Sequence, residues 1–209
     1  MVKVKICGIT DLETAIGAAE AGADALGFVF APSKRMVRPE TAKEIIRALP
    51  PFVARVGVFA DQPLEEVREI AARCGLDYIQ LHGRESPGYC CRVGLPVIKT
   101  FRVRDRASLD MVAHYRGVAA ILLDAYNPVV LGGAGVAFDW ETVAGISFPR
   151  PLVLAGGLNA ANVARAIARV RPYAVDVSSG VETDGRKDLG KIAAFIRRAK
   201  EASSGVRIA

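Results

Sequence analysis

The feature that most constrains this chain is a unit that recurs from end to end: a short apolar run, a turn, then a helical stretch. Strands are predicted around Val2, Val4 and Ile6, then over residues 25–30, 53–59, 77–81, 97–101, 119–123, 152–155 and 174–177. Helices are predicted over residues 12–21, 39–49, 63–74, 85–93, 105–115, 139–145, 160–170 and 189–202. The run Ala25-Leu26-Gly27-Phe28-Val29-Phe30 is nearly all apolar, as a parallel strand covered on both faces requires. An open doubly wound sheet would also fit the count. However, no GxGxxG follows the first strand and nothing divides the chain into halves. The expectation is one α/β domain over residues 1–209, a (β/α)8 (TIM) barrel with short loops.

Closing such a barrel gathers the C-terminal strand ends around one mouth, so the residues there carry the functional reading. Cys7 ends the first strand, before Gly8 and the N-cap candidates Thr10 and Asp11. By itself it reads first as a small buried hydrophobe, which is what most free cysteines are, with a functional thiol as the lesser alternative. Arg35 follows the second strand, and its planar fork suits a carboxylate, although a solvated loop residue would look the same. His82 ends the fourth strand. Asp124 closes the apolar run of residues 119–123, where a carboxylate either faces a pocket and moves protons or caps the backbone. Gly156 and Gly157 follow the seventh strand, and Ser178, Ser179 and Gly180 the eighth. Small residues in those two loops let backbone N–H groups approach a phosphate. Trp140 reads as packing, and Tyr126, beside Asp124, as a pocket-lining candidate.

Composition narrows the function classes. The chain is 51% hydrophobic and 24% charged, which is globular, and carries a formal +6 with a pI near 9.3. The basic residues are dispersed through helices without interleaved aromatics. That argues against nucleic acid and for a mouth attractive to an anionic metabolite. Cys7, Cys74, Cys90 and Cys91 show no CxxC spacing, and no histidine set completes a zinc site. No apolar run is long enough to span a membrane and no signal peptide pattern opens the chain, so a cytoplasmic location is expected.

These residues resemble the phosphoribosylanthranilate isomerase family of tryptophan biosynthesis over nearly the full length. The likeness rests on Val4-Lys5-Ile6-Cys7-Gly8-Ile9-Thr10, Gly27-Phe28-Val29-Phe30 with Ser33-Lys34-Arg35, and Gln80-Leu81-His82-Gly83. Leu123-Asp124, Phe138-Asp139-Trp140, Leu154-Ala155-Gly156-Gly157-Leu158 and Val175-Asp176-Val177-Ser178-Ser179-Gly180-Val181-Glu182 complete it. The resemblance implies an Amadori rearrangement of a phosphorylated small molecule, with no cofactor or metal, by a monomer or homodimer. It implies Cys7 as general base, Asp124 as general acid, and Arg35 as partner of the anthranilate carboxylate. The Gly156-Gly157 and Ser178-Ser179-Gly180 loops would hold the phosphate, with Gln80, His82 and Asp176 lining or ordering the site.

Two stretches depart from the family pattern. Ala134 and Val136, in a glycine-containing loop predicted over residues 125–137, stand where a threonine and a polar or basic residue are common. Lys34 replaces a frequent proline and Met36 a frequent aromatic. The rival readings are a related phosphosugar synthase, for which Lys99 is the one suggestive acid, an epimerase, for which metal-ligating histidines are missing, and a phosphate-metabolite binder without catalysis.

Overall fold

The computed structural model describes residues 1–125 and 139–204. Tyr126 and most of the predicted loop, including Ala134 and Val136, lie outside the described residues. Eight parallel strands close into a barrel: β1 Lys3–Cys7, β2 Ala25–Val29, β3 Ala54–Phe59, β4 Tyr78–Leu81, β5 Val97–Val103, β6 Ala120–Ala125, β7 Leu152–Leu154 and β8 Ala174–Val177. β1 pairs with both β2 and β8, which completes the closure.

The period-two alternation of each strand divides its side chains between two environments. Val4 and Ile6 point outward into the large core beneath the helices, where Phe59, Leu81, Ile121, Leu123 and Phe195 are fully buried. Each such side chain contributes roughly 1.5–3 kcal/mol by leaving water, so this outer layer supplies most of the apolar stabilisation. The inward set is smaller: Val56, Ile98, Ala120, Leu122, Val153, Ala155 and Ala174 fill the barrel floor. Above them the inward residues turn polar, and that change of chemistry creates the site.

Helices cover the barrel as α1 Leu12–Glu20, α2 Pro39–Arg47, α3 Leu64–Cys74, α4 Pro87–Arg92, α5 Val163–Val170 and α6 Leu189–Ser203. Asp11, not Thr10, caps α1 by accepting from the Thr14 N–H at 2.8 Å. The helix predicted from residue 85 starts at Pro87, with Ser86 as its cap. Proline fixes the first helical position, and Glu85 is drawn into other bonds. Asn159 and Asn162 tie their loop together through side-chain bonds to backbone N–H groups, which delays α5 to Val163.

Two predicted α-helices are 3-10 helices, Arg106–His114 and Trp140–Thr142. In the first, Leu109, Val112 and Tyr115 are buried at spacings of three, the repeat that aligns on one edge of a 3-10 turn. The second stops early, with Val143 as its cap and Gly145 in a left-handed conformation at φ +75°. Its Trp140 is buried and lies under the Arg165 guanidinium, outside the mouth. An unpredicted hairpin joins β8 to α6: β9 Glu182–Thr183 and β10 Arg186–Lys187, turning on Asp184 and Gly185, both at positive φ.

Candidate active site

A cavity of about 320 Å³ opens at the C-terminal ends of the strands. Cys7, Arg35, Gln80, His82, Asp124, Gly156, Gly157, Asp176, Ser178 and Ser179 line it. Every site residue implied by the resemblance except Gly180 therefore borders one space. Gly180 lies behind the wall, and a Cβ there would collide with the Leu158 carbonyl, so only glycine lets the loops after β7 and β8 pack together.

Cys7 is 8% exposed at the end of β1. Two residues earlier on the same inward face, Lys5 is 4% exposed and donates to Asp176 Oδ1 at 2.9 Å, across the seam to β8. Gly27 lies in register with Cys7 on β2. A Cβ at Gly27 would stand 2.9 Å from Cys7 Sγ and 3.1 Å from Lys5 Nζ, so the missing side chain makes room for both. Burial pushes the Cys7 thiol above its ordinary range. The Lys5 ammonium pulls it back, Asp176 adds to the rise, and Lys187 opposes it. Lys5 is driven downward by burial, yet Asp176 and Cys7 together hold its ammonium above the ordinary lysine range.

Across the cavity, Asp124 is 6% exposed and its Oδ1 accepts from the Ala125 N–H at 2.8 Å. Oδ2 lies 3.4 Å from His82 Nε2, close enough for charge to be felt but without the alignment of a hydrogen bond. Gln80 Nε2 and His82 Nδ1 are 3.3 Å apart, which orients the imidazole. At Gly156, φ is +81°, and a Cβ there would stand 2.9 Å from Asp124 Oδ1. The carboxylate therefore depends on a bare backbone beside it.

The third wall is an ion cluster. Arg35 grips Glu182 with two N–H groups, Nε to Oε1 at 2.6 Å and Nη2 to Oε2 at 2.9 Å. Lys187 donates to Glu182 Oε1 at 2.8 Å, to the Ser178 carbonyl at 2.9 Å and to Ser178 Oγ at 3.2 Å. Ser178 Oγ in turn donates to the Cys7 carbonyl at 3.0 Å, so the cluster is tied to the backbone of the thiol. Burial works against the Glu182 charge, but the hydrogen bonds from Arg35 and Lys187 win and hold its carboxyl at about 2. Burial brings Lys187 below the ordinary lysine range despite Glu182. Lys34 and Met36, the departures in the loop after β2, are exposed, with Lys34 3.8 Å from Glu182.

Sequence reasoning missed Lys5, Glu182, Lys187 and Arg102. Parity with Cys7 was the signal for Lys5, and the Asp184-Gly185 pair marked the hairpin that brings Glu182 and Lys187. Arg102 lies in register with Asp124 and donates to the His82 carbonyl at 3.1 Å. Lys99 points the other way: its ammonium is buried against Glu85 at 2.7 Å and does not border this cavity, so it offers no acid there. Among the described residues, no cluster of three or more His, Cys, Asp and Glu side chains is placed to hold a metal ion. None of their helices is long and apolar enough to cross a membrane.

A family model described as N-(5'-phosphoribosyl)anthranilate (PRA) isomerase matches residues 4–198. The chain belongs to this family. It is 56% identical over 202 residues to the N-(5'-phosphoribosyl)anthranilate isomerase of Geobacter metallireducens, covering 96% of this chain and 100% of that protein. Among solved structures, it resembles a phosphoribosylanthranilate isomerase in complex with reduced 1-(o-carboxyphenylamino)-1-deoxyribulose 5-phosphate. The TM-score is 0.84 at 44% identity, over 96% of this chain and 100% of that one. A structure of monomers of the dimeric isomerase from Thermotoga maritima matches with TM-score 0.84 at 43% identity, over the same shares of both chains. Members of this isomerase family act in tryptophan biosynthesis, and this chain is an isomerase of that kind.

Proposed function

We propose that this cavity converts N-(5'-phosphoribosyl)anthranilate to 1-(2-carboxyphenylamino)-1-deoxyribulose 5-phosphate by general acid–base catalysis. The observation that carries the reading is that one cavity is lined by a buried thiol, a buried carboxylate, two small-residue loops and an arginine. A substrate with a phosphate at one end and a carboxylate at the other matches that layout. The loops containing Gly156-Gly157 and Ser178-Ser179 hold the phosphate, helped by the excess of positive charge around Lys187 and Arg35. Arg35 spends two N–H groups on Glu182 and keeps the others for the anthranilate carboxylate.

With its ends clamped, the sugar lies between acid and base. Asp124 gives a proton to the ring oxygen, the ring opens, and a Schiff base forms between the anthranilate nitrogen and C1'. That cation acidifies the C2' proton, which Cys7 removes as a thiolate to leave an enolamine. Tautomerisation gives the ketose. Gln80 and His82 order the Asp124 side, and Asp176 acts beneath Cys7 through Lys5. The chemistry needs no cofactor, and a cytoplasmic location suits it.

A second copy of the chain is the other partner we infer. A similar Thermotoga maritima isomerase is dimeric. At the pole opposite the mouth, Phe52 is 96% exposed and borders an open cavity with Tyr78 and Tyr173, also exposed. Light scattering should give twice the chain mass, and the mass of one chain would remove this inference.

Titration with reduced 1-(o-carboxyphenylamino)-1-deoxyribulose 5-phosphate tests the site. One molecule should bind per chain, and absence of binding to folded protein would overturn the reading. Arg35→Ala should weaken that binding about tenfold or more and raise KM with kcat little changed, because a contact made equally to substrate and transition state acts on binding. Glu182 keeps Lys187 as a partner in the variant, so the fold should hold. Unchanged KM and affinity would take Arg35 out of the site.

A further inference from the structure

The proposed mechanism requires a thiolate at Cys7, while burial favours the neutral thiol. We propose that Lys5 is the positioning residue that solves this conflict: its buried ammonium, anchored on Asp176, is the cation beside which the Cys7 thiolate forms. The inference rests on the reading of Cys7 as the base.

Three observations carry it. Lys5 and Cys7 share the inward face of β1, two residues apart, and the ammonium is among the charges the thiol feels. Gly27 opposes Cys7 with no side chain, and the sulfur and the ammonium converge on the space its Cβ would take. The Lys5–Asp176 pair, 2.9 Å apart with side chains 5% and 9% exposed, lies just above the apolar floor of the barrel. A buried ion pair is a weak contributor to stability, and an apolar pair would serve the floor as well. Its position against the thiol supplies a reason for its presence.

The other charges facing Cys7 either oppose the thiolate or are engaged elsewhere. Asp176 on β8 opposes ionisation, and Lys187 on β10 favours it but is occupied by Glu182 and Ser178. Arg35, packed over Gly8, is committed to Glu182, while His82 and Asp124 line the far wall. Lys5, held by Asp176 on the same inward face as Cys7, is thus the cation that most favours the thiolate. It keeps its own proton throughout: the thiol proton leaves to water at the mouth, and the thiolate then takes the C2' proton and becomes a thiol again. Asp176 prevents the ammonium from losing its proton to the barrel interior.

The test reads the thiol directly, as the pH midpoint of iodoacetamide alkylation at Cys7, located by peptide mass analysis. Lys5→Met alone leaves Asp176 buried and unpaired, so the informative pair is Asp176→Asn and Lys5→Met/Asp176→Asn. Asp176→Asn should lower the midpoint below that of the unaltered protein. Adding Lys5→Met should raise it by one pH unit or more above Asp176→Asn. The rising limb of kcat/KM should move to higher pH in step, because loss of a cation makes the thiolate form later. Equal midpoints in the two variants would overturn the role of Lys5. The alkylation midpoint needs no turnover, so this failure is distinct from failure of the base reading, which normal kcat in Cys7→Ser would bring about.

Discussion

Cys7→Ser should lower kcat by about a hundredfold or more while the protein stays folded, the size of loss expected when a general base is removed. Serine is nearly isosteric with cysteine, and its hydroxyl can bond Lys5, so unfolding is not the expected route. At a site 8% exposed on a barrel strand, the stability change should stay near the ~1 kcal/mol typical of mild substitutions. The chemical change is far larger. A serine hydroxyl does not ionise where a thiol does, so the lost rate should return little as pH rises. Steady-state kinetics with thermal melting on the same sample checks this, and near-normal kcat would reject Cys7 as the base.

Asp124→Asn should have an effect as large on the acid side, on the order of 10²–10⁴ in kcat. The amide oxygen can still accept from the Ala125 N–H, and the side chain still fits against Gly156, so the local backbone should be kept. The variant lacks a proton it can give to the ring oxygen. Substrate binding should change little, since phosphate and carboxylate are held by other walls of the cavity. A variant that retained kcat but bound substrate poorly would instead make Asp124 a positioning group for His82, 3.4 Å away.

What the sequence disclosed follows from which residues report on geometry locally. The strands were legible because a parallel barrel covers both strand faces, and runs such as Ala25 to Val29 are therefore continuously apolar. Once eight such strands close, the residue at each C-terminal end must face one mouth, so Cys7, His82 and Asp124 could be grouped without any contact being known. The helix between β5 and β6 was placed but mistyped. Asp105 and Ser108 form a capping box that opens either kind of helix, and only the burial of Leu109, Val112 and Tyr115 distinguishes them.

Within the site, the partners were harder to read than the principals. Arg35 was expected to be open toward a carboxylate and is found bound to Glu182, whose strand is linked by the Asp184-Gly185 turn to the strand that carries Lys187. That pairing joins residues 147 apart in sequence, and only the closed barrel brings them together. Lys5 was hidden for a different reason. A lysine inside an alternating strand reads as solvent-facing, and its burial becomes visible only when β8 places Asp176 in register beside it.

The central claim is that this cavity performs the rearrangement, and turnover tests it most directly. Purified protein mixed with N-(5'-phosphoribosyl)anthranilate should remove its anthranilate-type fluorescence in proportion to enzyme concentration. The product should be 1-(2-carboxyphenylamino)-1-deoxyribulose 5-phosphate by mass. Fluorescence that declines no faster than in buffer alone, with protein shown to be folded, would contradict the account.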